Sequence, residues 1–392
     1  MRLGIAAARL VCGFIVGWAS VPAVAAEGPA QGELKLASPL DYQVFQRRTR
    51  TGGTVVVSGQ AAQECEAVQA RLFPSGRPAE AALDERWRDV PLQADKKGFR
   101  GELAVPAGGW YRLEVRTLRG GKPVGGVVAV EHVGVGEVFI VAGQSNAANH
   151  GGGHQKPASG MVSAFDGLRW VIANDPQPGA SGNGGSFIPA FGDATVERYK
   201  VPVGVANVAV GATKALQWYP KAAAVDMEVT TKAAPDKPEI RKMSSNGGLY
   251  ANLMARVNAL GKEGFRAVLW HQGESDANQI PYGHQDWDIT SKGYRRLMED
   301  IIIACRRDAG WEVPWIVARV SYHLPNDPSS APVRDAQKSL WDDKVALEGP
   351  DTDTLTGDLR SGVHFNAKGL QAHGKLWAQK VAPFIDKAPV GP

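Results

Sequence analysis

The tetrapeptide Gly143-Gln144-Ser145-Asn146 follows an apolar stretch at 137–142, which sets a serine where a strand gives way to the next element. A serine there is a candidate nucleophile, its hydroxyl at the edge of a sheet. A helix starting at this point would aim free backbone N–H groups, that of Ser145 included, at a developing negative charge. A serine after a strand is also a common helix cap, so its partners decide. A second apolar stretch, 203–210, runs into Gly211-Ala212-Thr213, where a glycine lets a backbone N–H approach a ligand. A third, 267–270, leads into Trp270-His271-Gln272-Gly273-Glu274-Ser275-Asp276 and brings an amide and two carboxyl groups to the same edge. Near the carboxyl terminus, Gly362-Val363-His364-Phe365-Asn366 sets a histidine between apolar residues.

Elements of two kinds must position these groups. From about 33 to 133 short runs alternate with period two, as in Thr54 to Ser58, in Val68, Ala70 and Leu72, and in Tyr111, Leu113 and Val115. Glycine- and proline-rich turns separate them, the pattern of an immunoglobulin-like β-sandwich. After about 134, strands at 137–142, 203–210, 267–270 and 315–320 alternate with helical periodicity at 249–260, 294–306, 333–347 and about 368–381. That alternation predicts a parallel sheet covered by helices, with its ligand at the carboxyl ends of the strands.

Taken together, Ser145, Gly211, the 272–274 loop and His364 follow the order and spacing of blocks I, II, III and V of the SGNH hydrolase superfamily. The chain resembles most closely the sialate O-acetylesterase-like carbohydrate esterases of that superfamily. The resemblance covers roughly 134–385, and Gly-Gln-Ser-Asn and Trp-His-Gln-Gly-Glu-Ser are its most specific pieces. It implies a flavodoxin-like three-layer α/β/α domain with a parallel sheet, and chemistry that needs no metal or other cofactor. Ser145 would attack an ester carbonyl, His364 would take its proton and return it to the departing sugar hydroxyl, and an acyl-serine would form between. The backbone N–H groups of Ser145 and Gly211 and the side chain of Gln272 would hold the oxyanion. Gln144, Asn146, Glu274, His150 and Trp218 are the residues expected to touch or support the substrate.

One position departs from the pattern. The superfamily places the acid of its triad three residues before the histidine, which here is Ser361. Asp358, six residues before, is the acid this reading selects; Asp353, Glu274, Asp276 and a Ser-His dyad are the alternatives. The implied activity is removal of O-acetyl groups from a carbohydrate, an acetylated polysaccharide or oligosaccharide, with sialic acid among the candidates. A lipase or thioesterase on the same fold, or a non-catalytic carbohydrate-binding protein, are the competing readings.

With 392 residues the chain has length for two domains, 26–133 and 134–388. Arg2 and Arg9, the apolar run 10–18 and the small residues at 23–25 read as a signal peptide over 1–25, hence export to a periplasm or the extracellular space. No later stretch is apolar enough to span a membrane. Lys plus Arg at 44 against Asp plus Glu at 40 gives a net charge of +4, too slight a bias for a nucleic-acid partner. Three cysteines make no disulfide framework, and pairing of Cys65 with Cys305 stays open. His150-Gly151-Gly152-Gly153 follows the serine rather than preceding it, unlike the oxyanion motif of lipases, and reads as a mobile loop from which His150 reaches substrate. Trp218 is as suited to stacking on a sugar as to a core, Trp87 and Trp110 are better suited to a core, and Arg319 to a structural ion pair.

Overall fold

The computed structural model describes residues 34–75, 83–277 and 286–387; the expected signal peptide lies outside them. The amino-terminal region forms β1 (Lys35–Ser38), β2 (Gln43–Gln46), β3 (Gly52–Gln60), β4 (Ala67–Pro74), β5 (Arg88–Val90), β6 (Gly98–Pro106), β7 (Gly108–Arg119) and the first part of β8 (Lys122–Gly143). β1, β3 and β6 make one sheet, and β5, β4, β7, β8 and β2 join in another. Val55, Val57, Val68, Ala70, Leu72, Leu113 and Val115 from both sheets are wholly buried in one core, so the period of two in the sequence becomes one inward face per strand. Trp87 lies outside that core, between the guanidinium groups of Arg71 and Arg116 at 4.3 and 4.1 Å. Trp110 packs edge-on against Tyr42 and donates its Nε1–H to the Gly160 carbonyl at 2.9 Å, which ties the two regions together.

β8 is 22 residues long and belongs to both regions. It pairs antiparallel with β7 as far as Val135 and parallel with β2 from Val133 to Gly136. The rest of the chain adds β9 (Val162–Phe165), β10 (Trp170–Ile172), α1 (Ile188–Tyr199), β11 (Val203–Asn207), β12 (Ala222–Thr231), β13 (Ala234–Ser245), α2 (Gly248–Leu260), β14 (Ala267–His271) and β15 (Trp287–Ile289). Then follow α3 (Ser291–Ala309), β16 (Trp315–Arg319), α4 (Ala331–Asp342), β17 (Leu347–Asp351), the hairpin of β18 (Arg360–Ser361) and β19 (His364–Phe365), and α5 (Ala367–Lys387). From Glu137 onward β8 lies between β11 and β14, parallel to both, in the order β10-β9-β11-β8-β14-β16-β17.

Successive residues of the central strands bury opposite faces. Val138, Ile140, Val268 and Val317 share a core with Leu253 and Val257 of α2, Leu297 and Ile301 of α3, and Val333 and Leu340 of α4. Phe139, Val141, Leu269 and Ile316 share another with Phe191 of α1 and Trp377 and Val381 of α5. The helix expected over 333–347 stops at Asp342, because Lys344 takes a left-handed conformation (φ 61) and Leu347 already opens β17. β12, β13 and β15 form a separate antiparallel sheet that the periodicity did not announce. Cys65 and Cys305 are both free and buried. Among the described residues no helix is long and apolar enough to cross a membrane.

Candidate active site

The carboxyl ends of β8, β11 and β14 meet a cavity of about 690 Å³ whose lining includes Gln144, Ser145, His150, Ser181, Gly211, Lys214, Glu274, Ser275, His323 and His364. Gly143 ends β8 at φ +133, and a Cβ there would sit 2.0 Å from the His271 carbonyl oxygen, so only glycine lets β8 and β14 close up at this edge. The chain then turns: Gln144 N–H reaches His271 O at 2.9 Å, and Ala147 and Ala148 N–H return to Gln144 O at 2.9 and 3.1 Å. A single turn therefore presents Ser145, where the sequence suggested the start of a helix. Among the described residues the N–H of Ser145 meets no acceptor, which leaves it directed by the turn alone.

Asn146 joins the two ends of the site. Its Nδ2 donates to Glu274 Oε1 at 3.0 Å and to Val363 O at 3.2 Å, while its Oδ1 accepts from Phe365 N–H at 3.4 Å. It thus brackets His364 on both sides, from the residue next to Ser145. Arg360 holds the same segment from behind, donating to Val363 O at 2.7 Å and Thr352 O at 2.9 Å with its guanidinium 4.0 Å from the Phe365 ring. Burial, then His150, then the Arg360 charge push the His364 pKa down to about 4. The imidazole is neutral above that value and free to take a proton. The His150 ring stacks on it at 5.6 Å, and burial lowers the His150 pKa too.

The carboxylates fall elsewhere than the sequence suggested. Asp358 sits in a short helical turn with its side chain 81 % exposed, 3.6 Å from Lys368 Nζ, so it does not face His364. Asp353 is engaged by the N–H groups of Ser321 and Tyr322 and by Arg334. Asp276 accepts from Gln272 Nε2 at 2.6 Å and Ala215 N–H at 2.8 Å. Glu274 alone of the four lines the cavity, and burial raises its pKa to about 7. Among the described residues no carboxylate oxygen comes within 4 Å of a His364 ring nitrogen.

Gln272 is fully buried away from the cavity: its Nε2 is shared by Asp276, Thr213 O at 3.1 Å and Gln144 Oε1 at 3.3 Å, and its Oε1 accepts from Tyr294 OH at 3.0 Å. Its role here is to hold the loop. Gln144 does reach the cavity, with Oε1 fixed by Ser275 N–H at 3.0 Å. Trp218 is a core residue, wholly buried edge-on to Trp270, with Nε1–H on Thr213 Oγ1 at 3.0 Å; the sugar-stacking role does not fit that place. The 150–153 loop is pinned, Gly151 N–H to Gly185 O at 2.9 Å and Gly152 N–H to Phe365 O at 2.8 Å, so His150 is held over Gly211 instead of swinging. Arg319 faces Asp335 at 3.8 Å and Asp351 at 4.0 Å. Ser181, Lys214 and His323 line the cavity without having stood out in the sequence, because they lie in polar loops with no period to mark them, and Ser275 joins them from the heptapeptide after β14.

Among curated proteins none matches the chain. A crystal structure of a novel carbohydrate acetylesterase from Xanthomonas citri matches at a TM-score of 0.51 and 18% identity, over 89% of this chain and 74% of that one, a likeness of fold. An Arabidopsis thaliana protein of known structure matches at a TM-score of 0.42 and 19% identity, over 64% of this chain and 99% of its own. The family model described as "Carbohydrate esterase, sialic acid-specific acetylesterase" matches residues 135–383, the stretch that holds every strand end around the cavity, and the chain belongs to that family of carbohydrate esterases.

Proposed function

We propose that the protein is a serine esterase that removes O-acetyl groups from a carbohydrate through an acyl-Ser145 intermediate. The observation that carries this reading is that Ser145, His364 and Gly211, more than two hundred positions apart at the extremes, line one cavity at the carboxyl edge of a parallel sheet. Ser145 Oγ attacks the ester carbonyl as its proton passes to neutral His364, and the imidazolium returns that proton to the departing sugar hydroxyl. Water then repeats the sequence on the acyl-serine. The histidine is oriented by its backbone, through Asn146 and Arg360, in place of a carboxylate. The reading takes the carboxyl-terminal region, 134–388, as an SGNH-type three-layer domain and 26–133 as an immunoglobulin-like β-sandwich beside it, exported to a periplasm or the extracellular space. A short acyl group suits a lining whose apolar side chains, among the described residues, are Val210, Ala212 and Val363.

Acetate release from a panel of acetylated glycans tests it. Ser145→Ala and His364→Ala are expected to lose at least about 10³-fold in turnover. Asp358→Asn, exposed and paired with Lys368, is expected to keep wild-type turnover. Full activity in Ser145→Ala would end the proposal, and a large loss in Asp358→Asn would restore the acid to that residue. Faster hydrolysis of octanoyl than of acetyl esters would turn the reading to a lipase.

A further inference from the structure

The backbone N–H of Gly211, expected to face the ester, instead donates to Ser181 Oγ at 2.7 Å. His150 Nε2 lies 3.1 Å from the same oxygen. All three residues line the cavity with Ser145 and His364. A hydroxyl has one proton and two lone pairs. In the His150 tautomer that carries its proton on Nε2, both lone pairs of Ser181 Oγ are filled, by Gly211 N–H and by His150 Nε2–H, and the Ser181 proton is left for an acceptor in the cavity.

The frame around this hydroxyl is built from main chain. Ser181 N–H donates to Ala209 O and Ser181 O accepts from Asn149 N–H, both at 2.9 Å, so the side chain is presented by contacts that do not involve it. A Cβ at Gly211 would lie 2.5 Å from His150 Nε2, so a side chain there would displace the imidazole from Ser181.

Resting on the esterase reading, we infer that Ser181 is a further catalytic residue: its hydroxyl, rather than the Gly211 N–H, donates to the ester carbonyl oxygen as Ser145 attacks. The bond from Ser145 Oγ to the carbonyl carbon forms, the π pair of the carbonyl moves onto its oxygen, and the Ser145 proton goes to His364. Ser181 keeps its own proton throughout and donates it as a hydrogen bond. Gly211 N–H donates into Oγ, and His150 does so as well in its Nε2–H tautomer, which makes that hydroxyl a stronger donor than an isolated one. Burial lowers the His150 pKa, which works against a second positive charge beside the imidazolium forming at His364.

The test compares wild type, Ser181→Ala, Ser181→Thr and Ser145→Ala on 4-nitrophenyl acetate and on the acetylated glycan panel. Ser181→Ala is expected to lower kcat by about 10²- to 10³-fold with KM changed less than about threefold, the mark of an interaction made in the transition state. Ser181→Thr, which keeps the hydroxyl, is expected to recover most of the loss. A second arm measures the rate at which an organophosphonate labels Ser145, read by mass; its phosphoryl oxygen takes the place of the oxyanion, and Ser181→Ala is expected to slow labelling by a similar factor. Ser181→Ala that hydrolyses and is labelled as fast as wild type, or faster, would overturn the inference and make Ser181 a plug over the Gly211 N–H. Retained activity in Ser145→Ala, or a wild type that cleaves no acetyl ester, would instead remove the esterase reading, and the labelling arm still decides the part played by Ser181.

Discussion

Glu274 carries its carboxyl group in the wall of the cavity with Oε1 on Asn146 Nδ2, while Oε2 has no partner among the described residues. Burial raises its pKa from 4.5 to about 7, against the lowering by Asn146. The unfolded chain would release this proton near 4.5 and the native chain near 7, so between those values the native state holds the extra proton. Its contribution to stability is complete below the lower value and is lost as pH rises through the upper one. Glu274→Gln keeps an acceptor for Asn146 and removes the titration. Denaturant unfolding from pH 5 to 8 is therefore expected to show the wild type falling by about 2 to 3 kcal/mol relative to Glu274→Gln. Parallel stability curves would mean that this carboxyl ionises as an exposed one does. At this scale the sequence marked Ser145, Gly211 and His364 because each is a small or polar residue interrupting an apolar run. The outward turn of Asp358 and the inward use of Gln272 depend on side-chain directions within short loops, which spacing does not encode.

β8, β11, β14 and β16 were legible because each is a run of apolar residues closed by a polar or glycine residue, and α2, α3 and α5 because their apolar residues recur every three or four positions. α1 was not: Pro189 and Gly192 look like turn residues, yet the proline sits in the first turn, where its missing N–H costs nothing, and the glycine makes room for Val162. The continuity of β8 was hidden in the same way, since its alternating first half and wholly buried second half carry different patterns on one strand. Its end at Gly143 is the place where element geometry is most exacting. With φ at +133 and the His271 carbonyl oxygen 2.0 Å from any Cβ, Gly143→Ala must both strain the backbone and part β8 from β14. Gly160, at φ +66 with open space around it, is the matched control. Thermal and denaturant unfolding are expected to show Gly143→Ala less stable by about 3 kcal/mol or more and Gly160→Ala by about 1 kcal/mol. Equal losses would mean that the close approach of the two strands is not what the glycine serves.

On the scale of the whole molecule, β8 passes from one region to the other at Glu137, and a buried charge cluster closes around that point. Arg47, just beyond β2, donates to Glu137 Oε1 at 2.7 Å; Arg266, just ahead of β14, donates to Oε2 at 2.7 Å and Oε1 at 3.1 Å. Gln46 adds Nε2 to Oε2 at 3.1 Å and accepts from Val138 N–H at 2.9 Å. One carboxylate therefore pairs with two guanidinium groups drawn from the two regions, with its own side chain fully buried. A buried ion pair is weak evidence of stability by itself, since desolvation offsets its attraction, but removing one partner leaves uncompensated charge in the interior. Glu137→Ala would leave two cations facing each other eight residues before Ser145 on the same chain path. It is expected to lose about 3 to 5 kcal/mol and to lower the melting temperature by about 6 to 12 °C. Because the strand and the cluster are common to both regions, the wild type is expected to melt in one calorimetric transition, with esterase activity and circular dichroism lost together. Glu137→Ala is expected to shift both probes down by the same amount. A variant that melts where the wild type does, or a wild type whose activity and secondary structure disappear at separate temperatures, would show that the cluster does not couple the sheet edge bearing Ser145 to the strands beneath it.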